Sequence, residues 1–109
     1  MNESRLDILL TSLIPAAPDA FLLYAIALEY RSLDQPALAL DYFRQVLAHD
    51  PSYLATYYQL AALYLSLGKT AEAETTWLKG IEVAGLQGKQ HTLNELRNAY
   101  RQFKDEDEF

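Results

Sequence analysis

The chain has 109 residues, half of them apolar and 22% charged, which is material for one domain with its own core and excludes a disordered polypeptide. Cysteine is absent, so disulfides and thiolate sites are excluded, and four Gly and four Pro are few for the turns of an all-β domain. The net charge of −6 is lopsided: Asp105, Glu106, Asp107 and Glu108 carry four of the charges, and the remaining nine basic and eleven acidic side chains leave residues 1–104 at −2, without the dense basic footprint that nucleic-acid binding requires.

Apolar residues recur at helical spacing from one end to the other. Leu6, Leu9, Leu10 and Leu13 mark one face of a first helix over 4–14, with Ser4 as N-cap and Pro15 as stop. The apolar run 8–17 is preceded by Glu3 and Asp7 and broken by Thr11, Ser12 and Pro15. No stretch reaches the ~20 apolar residues of a membrane span, so a cytoplasmic protein with no membrane partner is expected. A second helix follows Asp19 and carries Leu23, Ile26, Ala27, Tyr30 and Leu33. A third, over 36–50, starts on Pro36, which suits a first helical turn, and has Ala39, Tyr42, Phe43, Val46 and Leu47 as its stripe. A fourth carries Tyr57, Leu60, Ala61, Tyr64 and Leu67 and ends at Gly68, a left-handed cap. The fifth spans 70–84 and buries Ala73, Trp77 and Ile81, with 85–88 as a loop. The last, over 90–104, holds Leu93, Leu96, Tyr100 and Phe103 and then dissolves into the acidic tail 105–109, which has too few apolar partners to stay ordered.

The pattern repeats. Setting residues 20–51 against 54–85 gives seven identities, among them Tyr24/Tyr58, Ala27/Ala61, Tyr30/Tyr64, Leu33/Leu67 and Ala39/Ala73, where chance gives about two or three. Leu23-x₂-Ile26-Ala27-x₂-Tyr30 and Tyr57-x₂-Leu60-Ala61-x₂-Tyr64, followed by Ala39, Phe43 and Pro51 and by Ala73 and Trp77, resemble the tetratricopeptide repeat. Gly85 stands where the second repeat should have its Pro. The small residues suit close helix crossings, and Phe43 and Trp77 suit the wedge between one repeat and the next. The resemblance implies an all-α, α-α superhelix of two helix pairs (20–51 and 54–85). Residues 1–104 then form a single domain: an N-terminal cap helix over 4–14, repeats at 20–53 and 54–87, and a capping helix over 90–104. Arg97 occupies the small slot of that last helix, so the array should stop there, and its helix would cover the apolar flank of the second repeat.

Residues that could carry chemistry are sparse. Gly68-Lys69-Thr70 looks like the end of a phosphate loop, but Leu63 stands where the first Gly belongs and a helix where a strand belongs. His91 and Glu95 share a helical face, but two ligands without a third make no metal site. No triad or paired-carboxylate constellation is present. A non-catalytic protein without metal or cofactor is expected. The resemblance further implies a concave groove lined by the first helix of each pair. Its walls would be Phe21, Tyr24, Leu28 and Arg31; Tyr58, Ala62 and Leu65; and His91, Asn94, Asn98 and Arg101. A carboxylate clamp of the kind known in the family is not expected, because Tyr24 and Leu28 replace its Lys and Asn. The groove suits an apolar or aromatic peptide with one polar or acidic end. The function so implied is a protein-interaction adaptor whose partner is a peptide or a helix. Its alternative is self-association into a homo-oligomer through the groove or an uncovered flank.

Overall fold

The structure, a computed structural model, describes residues 4–13 and 19–107. Pro15, the expected stop of the first helix, and residues 108–109 of the tail lie outside these. Among the described residues every regular element is a helix: α1 (Arg5–Leu13), α2 (Ala20–Ser32), α3 (Pro36–His49), α4 (Ala55–Ser66), α5 (Thr70–Leu86) and α6 (Gln90–Asp107). The chain is all-α.

Helix starts follow the caps that the sequence provides. Ser4 Oγ accepts from the Asp7 N–H at 3.1 Å, and Asp19 Oδ1 from the Leu22 N–H at 2.8 Å, each satisfying one of the donors a helix N-terminus leaves unpaired. Pro36 sits in the first turn of α3, where its missing N–H costs nothing.

The three connections α2–α3, α4–α5 and α5–α6 are built alike. In each a backbone N–H reaches back over the end of the helix: Gln35 to the Tyr30 carbonyl, Lys69 to that of Tyr64, and Lys89 to that of Ala84. The geometry needs one residue of positive φ just before that donor, and Gly68 (φ 76°) and Gly88 (φ 67°) supply it in the last two turns. In the first turn the position belongs to Asp34 at φ 56°, a conformation that strains a residue carrying a Cβ. Gly68-Lys69-Thr70 is therefore a helix-to-helix turn.

The helices gather into two compact units, 1–53 and 54–109, divided where the 34-residue register joins one repeat to the next. In the first, α2 packs on α3 and α1 on α2. Leu23, Ile26 and Ala27 meet Ala39, Leu40, Phe43 and Val46 in the buried core. Ala27 and Ala39 are wholly inaccessible, as close helix crossings demand. Tyr30 stacks on Tyr42 with ring centroids 5.5 Å apart, and burial of the Tyr42 phenol pushes its pKa upward, with Tyr30 and Asp41 adding to the rise. Arg5 of α1 reaches Glu29 of α2 at 3.5 Å.

In the second unit α5 packs on both α4 and α6. Tyr57, Leu60, Ala61, Leu63 and Tyr64 of α4, Ala73, Trp77, Gly80 and Ala84 of α5, and Leu93, Leu96 and Phe103 of α6 form its core. Trp77 meets the Phe103 ring at 4.9 Å, so this indole is covered by α6. Two boundaries differ from the sequence reading. Gly85, expected in a loop, is helical because α5 runs on to Leu86 and the connection shrinks to 87–89. The tail expected to begin at 105 starts later, because α6 continues through Asp107. Phe103 docked on Trp77 and Lys104 paired with Glu74 at 3.6 Å fix the helical register just before those residues, so extending it fixes few new dihedrals.

Candidate functional site

The residues expected to line a groove fall on three helices, and each stripe is a helical repeat of i, i+3 or i+4, i+7. On α2, Phe21 is 71% exposed while Tyr24, Leu28 and Arg31 are half-buried. Tyr24 does not stand clear as a groove wall: its ring lies edge-on to Phe43 at 5.9 Å and tilted against Tyr53 at 5.1 Å. These contacts hold it on the core side of α2.

On α4, Tyr58 and Leu65 are exposed and Ala62 is half-buried. Tyr58, next to the buried Tyr57, presents 47% of its surface. On α6, His91, Asn94, Asn98 and Arg101 are all exposed. His91 Nε2 contacts Glu95 Oε1 at 2.6 Å, and Asn94 Oδ1 accepts from the Gln90 carboxamide at 3.0 Å.

Two of these residues come together. Tyr58 and Asn98 line one open cleft of about 260 Å³, together with Glu95, Ala99 and Gln102. Glu95, Ala99 and Gln102 were not among the expected groove residues. They lie at i, i+4 and i+7 on α6, rotated from the His91–Asn94–Arg101 stripe towards the buried side. The signal that could have found them is Ala99, a small residue beside the core stripe Leu96–Tyr100–Phe103, which leaves room where larger side chains would fill the space.

The cleft is chemically mixed. Tyr58 contributes an aromatic ring, Asn98 and Gln102 carboxamides that both donate and accept, and Glu95 a carboxylate whose Oε1 is taken by His91. Such a set can stack and hydrogen-bond; it contains no nucleophile with an adjacent base. Among the described residues no three His, Asp or Glu side chains come close enough to hold a metal ion, and no helix is long and apolar enough to cross a membrane.

The tetratricopeptide repeat profile matches residues 30–85. A crystal structure of a tetratricopeptide repeat domain protein from Salinibacter ruber is 39% identical, with 81% of this chain and 98% of that chain covered at a TM-score of 0.75. A solution structure of a tetratricopeptide repeat domain protein from the same organism gives 38% identity, 83% and 91% coverage and a TM-score of 0.78. A solution structure of a protein from Bordetella parapertussis, 24% identical, covers 97% of this chain and 92% of its own with a TM-score of 0.84, a likeness of fold. No curated protein sequence matches the chain.

Proposed function

This chain belongs to the tetratricopeptide repeat family, whose members are typically non-catalytic modules for protein interaction or scaffolding, and on that premise we propose that it is an adaptor that holds a peptide or partner helix against the α4–α6 face. The observation that carries the proposal is the cleft itself. Tyr58 exposes nearly half its surface beside the exposed carboxamides of Asn98 and Gln102. A ring that presents an apolar face and a polar tip is the kind of side chain that anchors interfaces. Carboxamides on the opposite wall suit a peptide backbone, whose N–H and C=O groups need both acceptors and donors. The partner is thus a protein segment.

The test is a displayed library of random heptapeptides panned against the immobilised full chain. Sequences retained by the native chain should be lost with Tyr58→Ala and kept with Leu78→Ala, which removes an exposed apolar side chain of α5 outside the cleft. Circular dichroism establishes that both variants fold. Enriched peptides indifferent to Tyr58→Ala would overturn the assignment of the binding face.

A further inference from the structure

We propose that the cleft selects a partner segment presenting an arginine side chain, whose guanidinium enters between Tyr58 and the α6 wall. The inference rests on the peptide-binding reading above and adds the chemistry of the guest. Glu95 is the one charged side chain among Tyr58, Glu95, Asn98, Ala99 and Gln102, and it is negative. His91 engages Oε1, which leaves the second carboxylate oxygen for a donor from outside. Asn98 and Gln102 sit one turn apart and offer two carbonyl oxygens, and Tyr58 offers a ring face.

A carboxylate oxygen, two carboxamide oxygens and an aromatic face match the guanidinium, which has five N–H donors in one plane and stacks on aromatic rings. An anionic guest would meet Glu95 unfavourably. A purely apolar one would cover three polar side chains without pairing them, which costs more than it gains. Ala99 contributes only a methyl group to the lining, and the open cleft of about 260 Å³ has room for the end of a long side chain. The basic residues of α6 do not fill the role themselves, since Arg97 and Arg101 are exposed and outside the lining and Lys104 is paired with Glu74. The net charge of −6 favours approach of a basic segment. The expectation of a polar or acidic end on the ligand, drawn from Asn94, Asn98 and Arg101, is replaced in this proposal by a basic end at this cleft.

The experiment uses the full chain and four blocked pentapeptides, acetyl-Gly-Ala-X-Ala-Gly-amide, with X as Arg, citrulline, Leu or Glu. Binding is read from the side-chain amide resonances of Asn98 and Gln102 in ¹H–¹⁵N spectra. Citrulline keeps the shape of arginine and removes its charge. The arginine peptide should bind about three- to fivefold more tightly than the citrulline peptide, the range for a half-exposed charge pair with some stacking. Glu95→Gln should weaken the arginine peptide about three- to fivefold and the citrulline peptide less, closing most of that difference. Equal binding of arginine and citrulline, or tighter binding of the leucine or glutamate peptide, overturns the arginine assignment and leaves the face as a peptide site. If none of the four moves the two amide resonances, the cleft is not a peptide site and both readings fall.

Discussion

Gly80 is the residue whose replacement tests the packing of the second unit most sharply. A Cβ built on it would lie 2.7 Å from Tyr57 Cβ, 3.0 Å from Tyr57 Cγ and 3.3 Å from Leu96 Cδ1. Carbon atoms rest at about 3.5–4.0 Å, so the first contact is short by about 1 Å. Leu96 can swing its methyl aside, but the Cβ of Tyr57 is fixed to the α4 backbone, so α5 must retreat from α4. Overpacking costs about 1–3 kcal/mol, and the upper half of that range applies where no rotamer change relieves the clash. Alanine regains about 1 kcal/mol of helix propensity, so Gly80→Ala should be destabilising by about 1–2 kcal/mol. Gly85 lies on the same helix with nothing within 4 Å of its built Cβ. Gly85→Ala should therefore be stabilising, by about 0.5 kcal/mol so near the helix end. The two melting temperatures should separate by about 6–10 °C. Urea unfolding followed by the fluorescence of Trp77, the one tryptophan of the chain, reports on this unit directly. A Gly80→Ala protein as stable as the native chain, or stabilised in parallel with Gly85→Ala, would refute the close approach of α5 to α4.

Asp34→Gly should raise stability by about 1 kcal/mol, since the left-handed conformation at φ 56° costs a residue with a Cβ and costs glycine little. Thermal melts of Asp34→Gly and of Gly68→Asp, its counterpart 34 residues on, should move in opposite directions. Ser52 donates both its hydroxyl and its backbone N–H to Asp50 Oδ1 and so holds that carboxyl below its ordinary pKa. The associated stability is present above the ordinary carboxylate range and lost as pH falls through the lowered value. Ser52→Ala removes the hydroxyl bond and keeps the backbone one, so a ¹³C titration of the Asp50 carboxyl should shift part of the way back up.

Those parts of the fold set by a helix and its own partner were legible in the sequence, because such constraints recur with the helical period. Ala27, Ala39, Ala61 and Ala73 read as crossing points and are all wholly buried. Ser4, Asp19, Pro36 and Gly68 read as punctuation and act as such. Gly80 was not legible, since a lone glycine inside a helical pattern reads as a weak position until the Cβ of Tyr57 is seen against it. The end of α6 was missed for a related reason: local charge argued for fraying, and only the docking of Phe103 on Trp77 shows why the helix persists.

The cleft shows the same limit on the functional side. The core stripe of α6 was read correctly, with Leu93, Leu96 and Phe103 buried and Tyr100 half-buried. But a buried stripe leaves the rest of the helix surface unassigned, and periodicity alone does not say which part of it a neighbouring helix faces. The family resemblance favoured the flank of His91, Asn94, Asn98 and Arg101. The position of Tyr58 on α4 instead makes Glu95, Asn98, Ala99 and Gln102 the facing wall. Asn98 belongs to both sets because it lies where they overlap on the helix. That rotation, of less than a quarter turn, replaces an arginine with a carboxylate in the lining. A small difference of helical phase, harmless to the fold, thus decides which sign of charge a site on α6 would welcome, and that is why the arginine and citrulline peptides discriminate between the two.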